Sequence, residues 1–137
     1  MVLMKPSPSY GLLPNSNKLV IFHPMSEANF SIEYYNAQVQ ADILALPETL
    51  LARYIGLTCR METAGGNLGE PHTKAFGDGL FELRLKGAEG IARVFYCTKI
   101  GRRIVMLHSF VKKSDKTPPR ERRIAEIRMK EIKNANP

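Results

Sequence analysis

The sequence predicts an α+β fold, with an N-terminal strand and a helical hairpin packed on an antiparallel sheet and a C-terminal helix at the end. Three observations predict it. Apolar residues recur at near-helical spacing between residues 31 and 63. From residue 80 the pattern switches to a period of two, interrupted by glycine-bearing turns. After residue 116 a Thr-Pro pair precedes a basic amphipathic run, which is how a helix starts.

Residues 1–17 contain Pro6, Pro8 and Pro14 and read as a flexible leader before a single domain over 18–137. The β-prone run 18–22, stopped by Pro24, is the first expected strand. Ile32, Tyr35, Val39 and Ile43 predict a helix over 31–45, which Pro47 ends. A second helix over 48–63 buries Leu50, Leu51, Tyr54, Ile55, Leu57 and Met61, and Gly65-Gly66 lets the chain leave it. Gly77-Asp78-Gly79 is a turn. Phe81, Leu83 and Leu85 then alternate with Glu82 and Arg84 in a half-exposed strand. Residues 87–90 form a hairpin loop into a strand over 91–97, and Lys99-Ile100-Gly101 turns the chain into a third strand over 103–110. The apolar run 104–107 in that strand predicts cover on both faces. The last helix runs from Thr117, as N-cap, to about residue 133, with Ile124, Ala125, Ile127 and Ile132 as its apolar sector.

At 137 residues, 44% hydrophobic and 24% charged, the composition is that of one soluble domain. No apolar run approaches the roughly 20 residues of a membrane span, and no secretory signal is evident, so a cytoplasmic location is expected. Cys59 and Cys97 lie far apart without C-x-x-C spacing, and His23, His72 and His108 show no ligand pattern. A disulfide framework, a metal site and a cofactor are therefore not expected. Both cysteines read as small buried hydrophobes.

The charge is unevenly placed. From Gly79 onward there are fifteen Lys and Arg against six Asp and Glu, whereas residues 1–78 carry five against seven, so the net +7 belongs to the second half. Such a directed positive field suits a polyanion, most often nucleic acid. With residues 87–90 as the hairpin loop, Lys86 faces Ile91 and Arg84 lies directly opposite Arg93. Like charges opposed across a ladder repel, so a fold that keeps them commonly supplies an anion. The alternative is a solvated face on which Glu82 neutralises one arginine.

Metal-free RNA cleavage requires a base for the 2′-OH, an acid for the leaving 5′-oxygen and cations around the phosphorane. Arg84 and Arg93 suit the cationic role. His72, Lys74, Tyr96, Lys112, Lys113 and Lys116 are further groups that the chain could bring near them. Arg120 and Arg123, on the final helix, suit phosphate contact.

Four blocks in order, residues 77–84 (GDGLFELR), 93–96 (RVFY), 105–113 (VMLHSFVKK) and 116–118 (KTP) followed by a helix with Glu121, Ala125 and Arg128, resemble the phage-derived Gp49-like, HigB-type branch of the RelE/ParE toxin superfamily. The resemblance spans about residues 18–133 and implies a RelE-like compact fold. It also implies the toxin of a type II toxin–antitoxin pair, an endoribonuclease acting on mRNA at the ribosome and silenced by a small antitoxin, often of helix-turn-helix type. On this chain it places catalytic contacts on Arg84 and Arg93, basic contacts on Lys112, Lys113 and Lys116, and a further contact on Tyr96. It leaves the general base and acid open among His72, Lys74, Lys113 and His108. A ParE-like inhibitor of DNA gyrase and a non-catalytic nucleic-acid-binding protein of phage origin are the rival readings.

Overall fold

The computed structural model describes residues 10–12, 19–21, 29–112 and 116–136. Strands β1 (Tyr10–Leu12) and β2 (Leu19–Ile21) pair antiparallel in a two-stranded sheet of their own. The first expected strand therefore exists, but it pairs within what was read as the leader and not with the main sheet. The rest of the leader lies outside the described residues.

The main sheet has five strands, in the order β3 (Ser31–Tyr34), β7 (Arg103–Lys112), β6 (Gly90–Ile100), β5 (Leu80–Gly87) and β4 (Thr73–Gly77). β3 runs parallel to β7 and every other pair is antiparallel. Helices α1 (Ala37–Leu44) and α2 (Glu48–Ala64) cover one face, and α3 (Pro119–Ala135) packs on the other. The sheet is thus mixed, with two strands more than the three predicted from periodicity.

The expected helix over 31–45 is corrected. Its first four residues form β3, where Ile32 is buried opposite Ile104, and the helix begins only after Asn36, whose side chain accepts from the Val39 amide at 2.8 Å. Ile32, Tyr34 and Tyr35 favour extended backbone, and the free edge of β7 offers them a ladder that a helix would forgo. α2 ends as expected, at Gly65 with φ of +91°.

Two clusters form the core. Val39, Ile43, Leu50, Tyr54, Leu57 and Met61 meet Leu83, Leu85, Val94, Tyr96 and Met106 beneath α1 and α2. On the other face Leu80, Phe95, Cys97, Val105 and Leu107 meet Ala125, with Met129 and Ile132 at the edge. Residues 104–107 are buried, as their unbroken apolar run predicted. Ile127 is the exception in the expected stripe of α3, at 55% exposed.

Thr117 does not cap α3. The cap position is Pro118, in extended conformation, and Pro119 opens the helix without a side-chain cap. A proline there has no amide hydrogen to satisfy, which releases the Thr117 hydroxyl to donate to Glu82 at 2.6 Å. Among the described residues no helix is long and apolar enough to cross a membrane.

Candidate functional site

The β5–β6 hairpin sets the site. Gly87 pairs with Gly90, leaving a turn of Ala88 and Glu89, and the register that follows places Arg84 opposite Arg93 and Glu82 opposite Phe95. The loop is two residues shorter than expected, yet the register is the one predicted. Because faces alternate along a strand, Lys74, Glu82, Arg84, Lys86 and Arg93 belong to the face that carries α3. Close to α3 that face is apolar, through Leu80, Phe95 and Cys97. Beyond the start of α3 it becomes basic.

Glu82 organises the two arginines. It is 2% exposed, and its Oε1 lies 3.5 Å from Arg84 Nε and 3.7 Å from Arg93 Nε, while its Oε2 accepts from Thr117. A buried carboxylate is tolerated only when opposite charge and hydrogen bonds replace its water. Arg84 also meets Glu70 at 3.6 Å, and its backbone amide donates to the His72 carbonyl at 2.8 Å. Glu82 therefore meets both guanidiniums, more than the single neutralisation considered from sequence, and Arg93 is buried rather than solvated.

A cleft of about 330 Å³ opens where β4 ends and leaves β5 uncovered, lined by Arg53, Pro71, His72, Arg84, Lys86 and Arg93. Four of these six carry positive charge and none is acidic. Concave cationic walls focus potential on an entering anion. Arg84 and Arg93 are brought together here, and His72 beside them.

The remaining predicted residues lie elsewhere. Lys74 is exposed on β4 opposite Glu82, its ammonium 5.5 Å from the Phe76 ring. Lys112 ends β7 opposite Ile91, two residues beyond the Arg93–Phe110 pair, and is largely buried. Lys116, Arg120 and Arg123 are exposed at the start of α3, and Lys113 lies outside the described residues. Tyr96 is a correction. It is fully buried on the opposite face, stacked on Phe81 and donating to the Gly66 carbonyl, and burial pushes its phenol far above the ordinary range. It is part of the core, three residues from Arg93 and so on the wrong side of the strand.

His108 bonds Glu121 at 2.7 Å and stacks on Phe110, which fastens the first turn of α3 to the sheet and keeps the imidazole out of the cleft. Burial raises Cys97 to about 11 and also raises Cys59, so neither thiol is activated. Among the described residues no three His, Cys, Asp or Glu side chains form a cation-binding group.

Sequence reasoning missed Arg53, Lys86 and Thr117. Lys86 was legible, since it shares the alternation of Arg84. Arg53 comes from α2 on the far side of the sheet and reaches the cleft only because the short β4 leaves that edge open, which no local pattern reports.

The model of the phage-derived Gp49-like protein family (DUF891) matches residues 41–130. No curated protein matches the chain. The matched segment contains every residue lining the cleft, together with Glu82 and Thr117. On that extent of match the chain belongs to the phage-derived Gp49-like family, a family of HigB/RelE-like toxins.

Proposed function

We propose that this toxin-like protein is the toxin of a type II toxin–antitoxin pair and acts as a metal-independent endoribonuclease on mRNA at the ribosome. The observation that carries the reading is the opposed Arg84–Arg93 pair, set over a buried carboxylate at the back of a cationic cleft. In the proposed reaction the substrate 2′-OH loses its proton, its oxygen bonds to phosphorus, and the bond from phosphorus to the 5′-oxygen breaks as that oxygen is protonated. Arg84 and Arg93 hold the non-bridging oxygens as negative charge builds on the phosphorane. His72 lines the same cleft and is the proposed proton carrier. A helix-turn-helix antitoxin would silence the protein by covering this cleft with an acidic segment, an encounter accelerated by opposite charge and weakened by salt.

Induction in a bacterial host, followed by mapping of RNA ends and a plasmid supercoiling assay, tests the reading. Transcripts should fragment with supercoiling unchanged. Arg84→Ala and Arg93→Ala, if folded, should each lower cleavage by on the order of 10²-fold or more, as loss of a transition-state clamp does. Folded variants as toxic as the parent would remove these residues from the site. Intact transcripts with altered supercoiling would instead favour gyrase inhibition. Cleavage of ribosome-free RNA by the purified protein should persist in EDTA, and loss restored by one divalent ion would refute the metal-free step.

A further inference from the structure

Gly56 lies in the interior of α2, where glycine is the least favoured residue after proline. A Cβ added there would meet nothing within 4 Å, so no neighbouring group in the fold requires the gap. The gap opens outward into a groove of about 550 Å³ along the helix, lined by Thr49, Ala52, Arg53, Gly56, Arg60 and His72 among others. Arg53 and His72 line both this groove and the arginine cleft, which makes the two continuous.

Arg53 and Arg60, seven residues apart, project from one side of α2 about 10 Å from each other along its axis. Among the described residues neither has a carboxylate within ion-pair distance, in contrast to Arg84 and Arg103. At the N-terminal end Glu89 is engaged by Thr49, whose amide and hydroxyl both donate to it. The lining is mostly cations and small side chains, with the buried Leu57 at its floor and the imidazole of His72 where it joins the cleft, and it includes no Phe, Tyr or Trp.

We infer that the outer face of α2 is a track for the sugar-phosphate backbone of the RNA whose scissile phosphate sits at Arg84 and Arg93. Arg53 and Arg60 contact flanking phosphates, and Gly56 lets the strand lie close to the helix. The inference rests on the ribonuclease reading above. An acidic peptide would meet the same charges, but the groove has no exposed large apolar side chain to anchor one; Val111 and Ile127, which are exposed, lie on other elements. Because Arg53 and Arg60 contact phosphates rather than base edges, this track binds RNA with little regard to sequence.

The test measures binding of uncleavable 2′-O-methyl RNA by fluorescence anisotropy, with an oligomer of about twelve nucleotides and a trinucleotide too short to reach both sites. Arg60→Ala should weaken the long oligomer about fivefold near 0.1 M salt and make the log–log salt slope shallower by about 0.7, the signature of one lost phosphate contact. Gly56→Phe should weaken it at least as much by filling the groove. Gly56→Ala, which adds only a Cβ to the groove, should weaken it less than Gly56→Phe does, and the trinucleotide should not distinguish any of the four proteins. Circular dichroism and urea midpoints establish that each variant is folded. If folded Arg60→Ala and Gly56→Phe bind the long oligomer with parental affinity and slope while the parent still cleaves RNA, the track is wrong and the ribonuclease reading stands. A parent that binds neither oligomer and leaves cellular RNA intact overturns both. Loss of poly-glutamate binding in Gly56→Phe with RNA binding retained would assign the groove to an acidic protein and overturn the track.

Discussion

Glu82 shows how one residue can reconcile two opposed arginines. Its carboxylate is buried between Arg84 and Arg93 and hydrogen-bonded to Thr117, so its desolvation is offset by two cations and a hydroxyl. Glu82→Gln keeps the shape and removes the charge, leaving the two guanidiniums facing each other. We expect a stability loss of about 3 kcal/mol, read from urea denaturation, in the range for a buried ion pair that loses one partner. An unchanged midpoint would mean that solvent already screens the pair. The Arg84–Arg93 opposition was legible from hairpin arithmetic, because a two-residue period fixes faces once the turn is placed. The role of Thr117 was not, since its hydroxyl is thirty-five residues from Glu82 in sequence and meets it only through tertiary packing.

At the scale of elements, the β5–β6 turn supplies the acceptor that α2 lacks at its own start. Pro47 occupies the cap position without a side-chain bond, and Glu89 instead accepts from the Thr49 amide at 2.9 Å. This orphan donor is therefore satisfied from another element. Gly87 makes the approach possible, because a Cβ there would lie 2.2 Å from Thr49 Oγ1. Gly87→Ala should force the turn off the helix and cost about 1–3 kcal/mol, as overpacking does. Its thermal denaturation should show the loss, and a parental Tm would indicate that Thr49 simply rotates away. The same hairpin carries Arg84 and Arg93, so this contact ties the first turn of α2, one turn before Arg53, to the strands that carry the arginine pair. α3 is fastened at its start by Glu121 on His108 and near its end by Lys133 on the Asp78 carbonyl.

For the whole molecule, burial makes stability depend on alkaline pH. Cys97 is raised from 9.0 to about 11, and Tyr34, Tyr54 and Tyr96 are all raised with desolvation as the leading cause. Each is favoured in its neutral form when folded, so the unfolded chain releases these protons first. The contribution of Cys97 is complete below pH 9.0 and is lost as pH rises through about 11. Urea midpoints should be flat on this account below pH 9.0 and fall above it, and Cys97→Ala should fall less steeply across that interval. A parental decline identical to that of Cys97→Ala would show that the thiol does not contribute.

Local pattern alone determined the α+β class, the hairpin register, the opposed arginines, α2 and the concentration of positive charge in the second half. Each of these follows from interactions a few residues apart: side-chain period, turn chemistry and composition. Tertiary structure decided that Ser31–Tyr34 is a strand, that Tyr96 belongs to the core, that Thr117 serves Glu82 rather than its own helix, and that Arg53 crosses from α2 into the cleft. In every one of these cases the partner is distant in sequence, and the outcome depends on which sheet edge or face is free once the chain has packed. The open edge beyond β4, from which the cleft is built, is a property of how five strands of unequal length align, and no segment of the chain encodes it by itself.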